Sequence, residues 1–255
     1  MRVGSLDKCR KKRSSVVGRD GRGKHGPMAI LALALYGSRA RGDNNRSSDI
    51  DLLLVTDDER PGHSQKGSIS MSSYSLRALK ERASEGDLFL YHLVFEGRPL
   101  YDPDNHFPGL RTAFRLKRSY STEIQKAVDL GWFIVGFGES ISNRSLLSRR
   151  ITWVVRTILI ATAAETGRPI FSREELLNIA PGPQTRRLIA QKDTSEPDPR
   201  CGRDLEWFLM KYGRRPSIST KLARDEYIEM FKETKNDVAL HLIVSTPRAP
   251  VEGYT

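Results

Sequence analysis

Two stretches of the chain are apolar almost without interruption. Met28 to Tyr36 reads MAILALALY, and Ile50 to Val55 reads IDLLLV after a polar loop at 37–48. Apolar runs of this length, bounded by Gly and Ser, predict strands buried on both faces. Residues 56–68 carry Pro61 and Gly62 among charged residues and predict a loop. In SISMSSY (68–74), Ile69 and Met71 alternate with Ser70 and Ser72, predicting a third strand with one polar face. Helices are expected over Ser75–Ala83 and Leu88–Phe95, and RPLYDPD after Gly97 is a short extended piece closed by Pro103.

Beyond Pro108 the period changes. Leu147, Ile151, Val154, Val155, Ile158 and Ala161 recur at helical spacing, so Leu146–Glu165 is expected to present one apolar face to a core. Ser172 followed by Glu175 is a capping box opening another helix. Residues 192–203 read as a surface loop, and Leu205–Tyr212 and Ala223–Val244 as further helices. The organisation expected is a basic arm at 1–27, a small α/β unit at 28–107, a helical unit at 108–246 and a tail at 247–255. A ligand is expected in the cleft between the two units.

Composition narrows the partners. A net charge of +11 favours anions such as nucleotides, RNA or DNA, and disfavours a polycationic substrate. No apolar run approaches the ~20 residues that cross a bilayer, and the basic N-terminus lacks the apolar segment of a secretory signal. Cys9 and Cys201 have no metal-ligand spacing, so a reducing cytoplasm is the expected compartment.

The chemistry is concentrated in YGSRARGDNNRSSDIDLLLV, Tyr36 to Val55. Residues i and i+2 of a strand share a face, so Asp49 and Asp51 aim two carboxylates to one side while Ile50 and Leu52 are expected to point into the core. Two carboxylates this close call for a cation between them, and a hard ion such as Mg²⁺ accepts such donors together with water. Gly37 lets the backbone approach a phosphate, Ser38 adds a hydroxyl, and Arg39 and Arg41 can add charge-assisted contacts to phosphate oxygens.

The pattern G-S-x-A-R-G, a loop, then S-D-I-D-L resembles the nucleotidyltransferase superfamily that includes DNA polymerase beta. It is most similar to the small bacterial minimal and antibiotic-modifying types. The likeness is specific over residues 30–55 and extends through GDLFLYHLVFEGRPLYDP. It implies an α/β (α+β) domain with a small mixed sheet, followed by an all-α helical domain. It also implies that Gly37 and Ser38 hold the β- and γ-phosphates of an NTP, ATP being favoured, and that Asp49 and Asp51 hold two Mg²⁺ ions. An acceptor hydroxyl then attacks the α-phosphate and pyrophosphate leaves. The acceptor stays open: a protein side chain, an RNA end, or a small molecule such as an aminoglycoside.

The family's third carboxylate belongs on a later strand facing the aspartates, and here that strand offers Ser70 and Ser72, neither of them a base at neutral pH. Three explanations compete: a base from elsewhere, such as Glu96 or Glu139; catalysis with two carboxylates and solvent; or a degenerate domain that binds nucleotide as an antitoxin or sensor. A plain RNA-binding protein, using the basic arm, is a further alternative.

Other motifs carry less. Gly21, Gly23 and Gly26 spell G-x-G-x-x-G, but His25 stands where a P-loop needs Ser or Thr, and no strand precedes it. Arg19 to His25 is the only spacing like that of a partner RNase, and it falls in the arm. His92, in LFLYHLVF, reads as a core or edge histidine. Arg149, Arg150 and Arg156 read as a solvated face, and Trp132, Trp153 and Trp207 as core or interface anchors.

Overall fold

A computed structural model describes residues 29–44, 48–214 and 222–245. The basic arm, the glycine-rich GRDGRGKHG within it and the C-terminal tail lie outside the described residues.

Five strands form one mixed sheet: β1 (Ile30–Tyr36), β2 (Ile50–Thr56), β3 (Gly62–Lys66), β4 (Ile69–Ser75) and β5 (Arg98–Tyr101), in the spatial order β3-β4-β2-β1-β5. β2 lies antiparallel to β1 and parallel to β4, placing it at the centre. The one-turn helix α1 (Ser38–Arg41) fills the β1–β2 connection. Helices α2 (Leu76–Ser84), α3 (Leu88–Phe95) and α4 (His106–Ala113) cover one face of the sheet. Ser75 caps α2 by accepting the Ala78 amide, and Asp87 caps α3 by accepting the Leu90 amide.

Three expectations change here. Leu53 and Val55 are fully buried against α2, α3 and α4 together with Ala32 and Ala34, whereas Ile50 and Leu52 are only half-buried. The odd-numbered face of β2 is therefore the core face, and Asp51 ends the row of core side chains rather than opposing it. β1 is likewise deeply buried on one face only, because helices cover one side of the sheet. Third, residues 62–66, expected in a loop, form the edge strand β3. All five are exposed and polar, so no apolar alternation marks them, and a two-residue turn through Gly67 at φ +58° pairs them with β4.

The remaining helices are α5 (Ser121–Phe137), α6 (Arg144–Glu165), α7 (Arg173–Ile179), α8 (Pro183–Ala190), α9 (Cys201–Tyr212), α10 (Arg224–Glu233) and α11 (Asp237–Val244). The six α6 positions expected to face a core are all buried, as are Leu159 and Ile160 beside them, because α6 is packed by several neighbours at once. The stretch expected as one helix over 223–244 breaks at Lys235, which adopts φ +50°. Asn236 then caps α11 and donates from Nδ2 to the Lys126 carbonyl, 2.9 Å away. The loop at 192–203 is also shorter than expected, since α9 starts at Cys201.

The sheet part and the helical part meet through aromatic rings: Phe171 stacks on His92 at 4.9 Å and on Tyr91 at 5.9 Å. Tyr120 adds a buried hydrogen bond, its hydroxyl donating to the Gly86 carbonyl at 2.9 Å. Among the described residues no helix is long and apolar enough to cross a membrane.

Candidate active site

Gly37 leaves β1 at φ +76°, a conformation strained for any residue with a Cβ. A Cβ there would lie 2.5 Å from Oδ2 of Asp51, so the turn passes directly over that carboxylate. The Gly37 carbonyl then accepts the amides of Ala40 and Arg41 and closes α1. Tyr36 and Asp51 are register partners across β1 and β2, while Asp51 and Ser70 are partners across β2 and β4. Ser70 thus stands beside Asp51 where the third acid was expected, and its hydroxyl donates to the Asp51 carboxylate. Ser72, the other serine of that face, contacts the Tyr36 hydroxyl at 3.5 Å and His63 Nδ1 at 3.4 Å.

Asp51 is half-buried, and burial raises its carboxyl above the ordinary range. Lys192 opposes this shift, Asp49 adds to it, and His92 and the Ser70 hydrogen bond oppose it. Asp49 precedes β2 and is exposed. Among the described residues, no group of three or more His, Cys, Asp or Glu is placed to hold a metal ion.

The two arginines of the motif have internal partners. Arg39 donates to the Ser48 carbonyl from Nε (3.1 Å) and Nη2 (2.8 Å), and to the Asp49 carbonyl from Nε (3.2 Å), strapping the loop to the start of β2. Arg41 pairs with Asp43 at 3.1 Å and with Glu96 at 3.0 Å. Glu96 also accepts from His92 Nδ1 at 2.7 Å. Burial alone would raise the Glu96 carboxyl, but His92 and Arg41 together hold it below the ordinary range. Glu96 is therefore a positioned carboxylate with two partners, and Glu139 lines a separate depression with Arg144 and Glu196.

Two clefts open between the sheet part and the helical part, one of them lined by Asp49. One, of about 570 Å³, runs from Ser38, Arg41 and Asp49 to the helical side chains Arg173, Arg186 and Lys192. The other, of about 780 Å³, lies between α3 and α6 and includes Phe89, His92, Trp153 and Phe171. Arg149, Thr152, Arg156 and Lys192 line both, so the two clefts share one wall.

The reading of the α6 arginines as a solvated face holds for Arg149, which is exposed, but Arg150 and Arg156 are half-buried. Partial burial, then the nearby Arg41, pushes the Arg156 guanidinium down to about 10, which leaves it charged at neutral pH. His92, passed over in sequence as a core or edge residue, lines the second cleft with its ring held by Glu96. The i,i+4 spacing of His92 and Glu96 on one helix was the available signal.

No curated protein matches the sequence. Among solved structures the chain is similar to a nucleotidyltransferase-like protein from Exiguobacterium sibiricum 255-15. That match has 15% identity and a TM-score of 0.31, and covers 88% of this chain and 90% of that one. The sequence model of one family, described as a nucleotidyltransferase domain, matches residues 22–97, which supports placing the N-terminal part of the chain, through the end of α3, in the nucleotidyltransferase superfamily.

Proposed function

We propose that the protein is a Mg²⁺-dependent nucleotidyltransferase that moves a nucleoside monophosphate, AMP from ATP, onto an acceptor hydroxyl and releases pyrophosphate. The observation that carries this reading is the placement of the Asp51 carboxylate under the Gly37 turn, with Asp49 nearby, opposite Arg156, Arg173, Arg186 and Lys192, which form no salt bridge among the described residues. A triphosphate suits those cations, and two carboxylates suit a magnesium ion that keeps water and takes its other oxygens from phosphate. Asp49 and Asp51 would hold that ion, and it would supply positive charge to neutralise the phosphate oxygens.

The chain's own groups divide the remaining work. The Gly37–Ser38 turn lets the triphosphate come close, and Arg156, Arg173, Arg186 and Lys192 face it across the cleft. Arg41 lines the same cleft and fixes Glu96, which in turn orients His92. With Nδ1 engaged by Glu96, Nε2 of His92 is the atom left to take the acceptor proton. It thereby supplies the base that the serines of β4 cannot.

A second reading, a nucleotide-binding sensor or antitoxin without turnover, is favoured by Ser70 standing in register with Asp51. Incubation with labelled ATP, Mg²⁺ and candidate acceptors separates the two. Pyrophosphate release that disappears in Asp49→Asn and Asp51→Asn supports transfer. Tight ATP binding with no turnover on protein, RNA and small-molecule acceptors supports the sensor.

A further inference from the structure

The second cleft has more positive charge than its own acids can balance. Of its three carboxylates, Asp87 is paired with Arg82 at 3.0 Å and Glu123 with Lys117 at 2.6 Å, which leaves Asp237 against four cations. Among the described residues, Arg149, Arg150, Arg156 and Lys192 form no salt bridge. Arg149 donates to the Ser145 hydroxyl, Arg150 meets His241 Nδ1 at 3.1 Å, and Arg156 donates to the Phe171 carbonyl at 2.9 Å. The Nε of Arg150 is buried with no hydrogen-bond partner. Arg149 and Lys192 are exposed, but Arg150 and Arg156 are half-buried, and holding guanidinium groups there without a counter-charge is unfavourable unless an anion completes the site. Beside these cations lie the half-buried rings of Trp153 and Phe89, apolar surfaces on which another ring can stack, while Phe171 is buried against His92 and Tyr91.

Position adds a direction. In-line displacement puts the incoming hydroxyl and the departing pyrophosphate on opposite sides of the α-phosphorus. The Gly37–Ser38 turn belongs to the first cleft and His92 to the second, with Arg156 and Lys192 between them.

We propose that the cleft between α3 and α6 is the acceptor site, and that its acceptor is a nucleotide unit: a hydroxyl-bearing sugar with a phosphate for the arginines and a base for the aromatic wall. The word acceptor rests on the transferase reading; the anion-and-ring site does not. In the step, His92 Nε2 takes the acceptor hydroxyl proton, the oxygen bonds to the α-phosphorus, and the bond to pyrophosphate breaks. The same surplus charge excludes a polycationic acceptor.

The test is binding to the full chain without Mg²⁺, by calorimetry, using AMP, adenosine, an aminoglycoside and a short single-stranded RNA with a free 3′ hydroxyl. AMP is expected to bind about tenfold or more tightly than adenosine. It is expected to bind equally well to the Asp49→Asn/Asp51→Asn double variant, and not to be displaced by a Mg²⁺-bound non-hydrolysable ATP analogue. Arg150→Gln and Trp153→Leu should each weaken it about tenfold, with circular dichroism showing that each variant is folded. Equal affinity for AMP and adenosine, tighter binding of the aminoglycoside, displacement by the ATP analogue, or folded variants of unchanged affinity would overturn the proposal. RNA binding more tightly than AMP identifies a polynucleotide end as the source, and equal or weaker RNA binding identifies a free nucleotide. If AMP binds as described but no transfer occurs with any acceptor, the transferase reading fails while the anion-and-ring site stands.

Discussion

The α-carbon of Gly37 sits so close to Asp51 that a methyl group on it would lie 2.5 Å from Oδ2 of that carboxylate. Sequence neighbours of Gly37 form the loop, and strand pairing brings in Asp51, so the contact joins the two halves of the motif. Gly37→Ala therefore meets two penalties, a φ of +76° and a clash with a side chain the site needs. Positive φ on a residue with a Cβ costs about 1–3 kcal/mol. The expected outcome is a protein that still folds, with a thermal midpoint lowered accordingly, and with pyrophosphate release reduced at least a hundredfold. A variant with wild-type turnover would show that the turn does not have to approach this closely.

Asp49 and Asp51 should separate when their charges are removed. Burial holds the Asp51 carboxyl above its unfolded value, so between those two values the folded chain binds more protons than the unfolded one, and ionised Asp51 opposes folding at neutral pH. Asp51→Asn removes that charge at constant shape and should raise the thermal midpoint in the absence of Mg²⁺ while abolishing transfer. Asp49 is exposed, so Asp49→Asn should leave the midpoint unchanged within about 0.5 kcal/mol while also abolishing transfer. Differential scanning fluorimetry on both variants checks the contrast. A midpoint that falls in Asp51→Asn would mean that the carboxylate has stabilising partners beyond Lys192, His92 and Ser70.

The central strands and α6 were legible because continuous apolar runs and a 3.6-residue stripe survive any packing arrangement. The order of burial within β2 was not legible: IDLLLV is apolar on both faces, and only the helices of the folded chain choose Leu53 and Val55 over Ile50 and Leu52. β3 left no trace because a solvent-facing edge strand of polar residues has no hydrophobic pattern. At the site, Gly37, Ser38, Asp49 and Asp51 lie within fifteen residues of sequence and could be read as a unit. The Arg149, Arg156 and Lys192 wall comes from a different part of the chain, and arginines flanking an apolar helix look the same whether they meet solvent or a ligand.

Cys201 should behave as an inert thiol. It is buried at the start of α9, and burial, followed by the nearby Asp198, pushes the thiol up from 9.0 to about 11. At pH 8 the thiolate fraction is then about a hundredfold smaller than in an unfolded chain, and the thiolate is the reactive form. In a Cys9→Ser background, iodoacetamide should label the folded protein at least a hundredfold more slowly than the denatured one. The same shift makes the fold lose stability as pH rises from about 9 to 11, because the unfolded thiol ionises first. Fast labelling of the native protein would place Cys201 in a segment that opens readily.

His92 and Glu96 provide the sharpest test of how the chain replaces the missing acid. Their 2.7 Å contact engages Nδ1 of a histidine that lines the second cleft, and Arg41 ties the same carboxylate to the helix after Gly37. If His92 takes the acceptor proton, His92→Gln should lower kcat by about 10²–10⁴ and leave KM for ATP nearly unchanged. Glu96→Gln keeps the shape but weakens the hold on the imidazole and frees Arg41. It should lower kcat by a smaller factor and alter the pH dependence of kcat, which a merely structural role would not move. Steady-state pyrophosphate release over pH 5–9 for the wild type and both variants measures each effect. If Glu96→Gln and His92→Gln lose activity only through raised KM, the pair shapes the cleft and the proton goes to solvent instead.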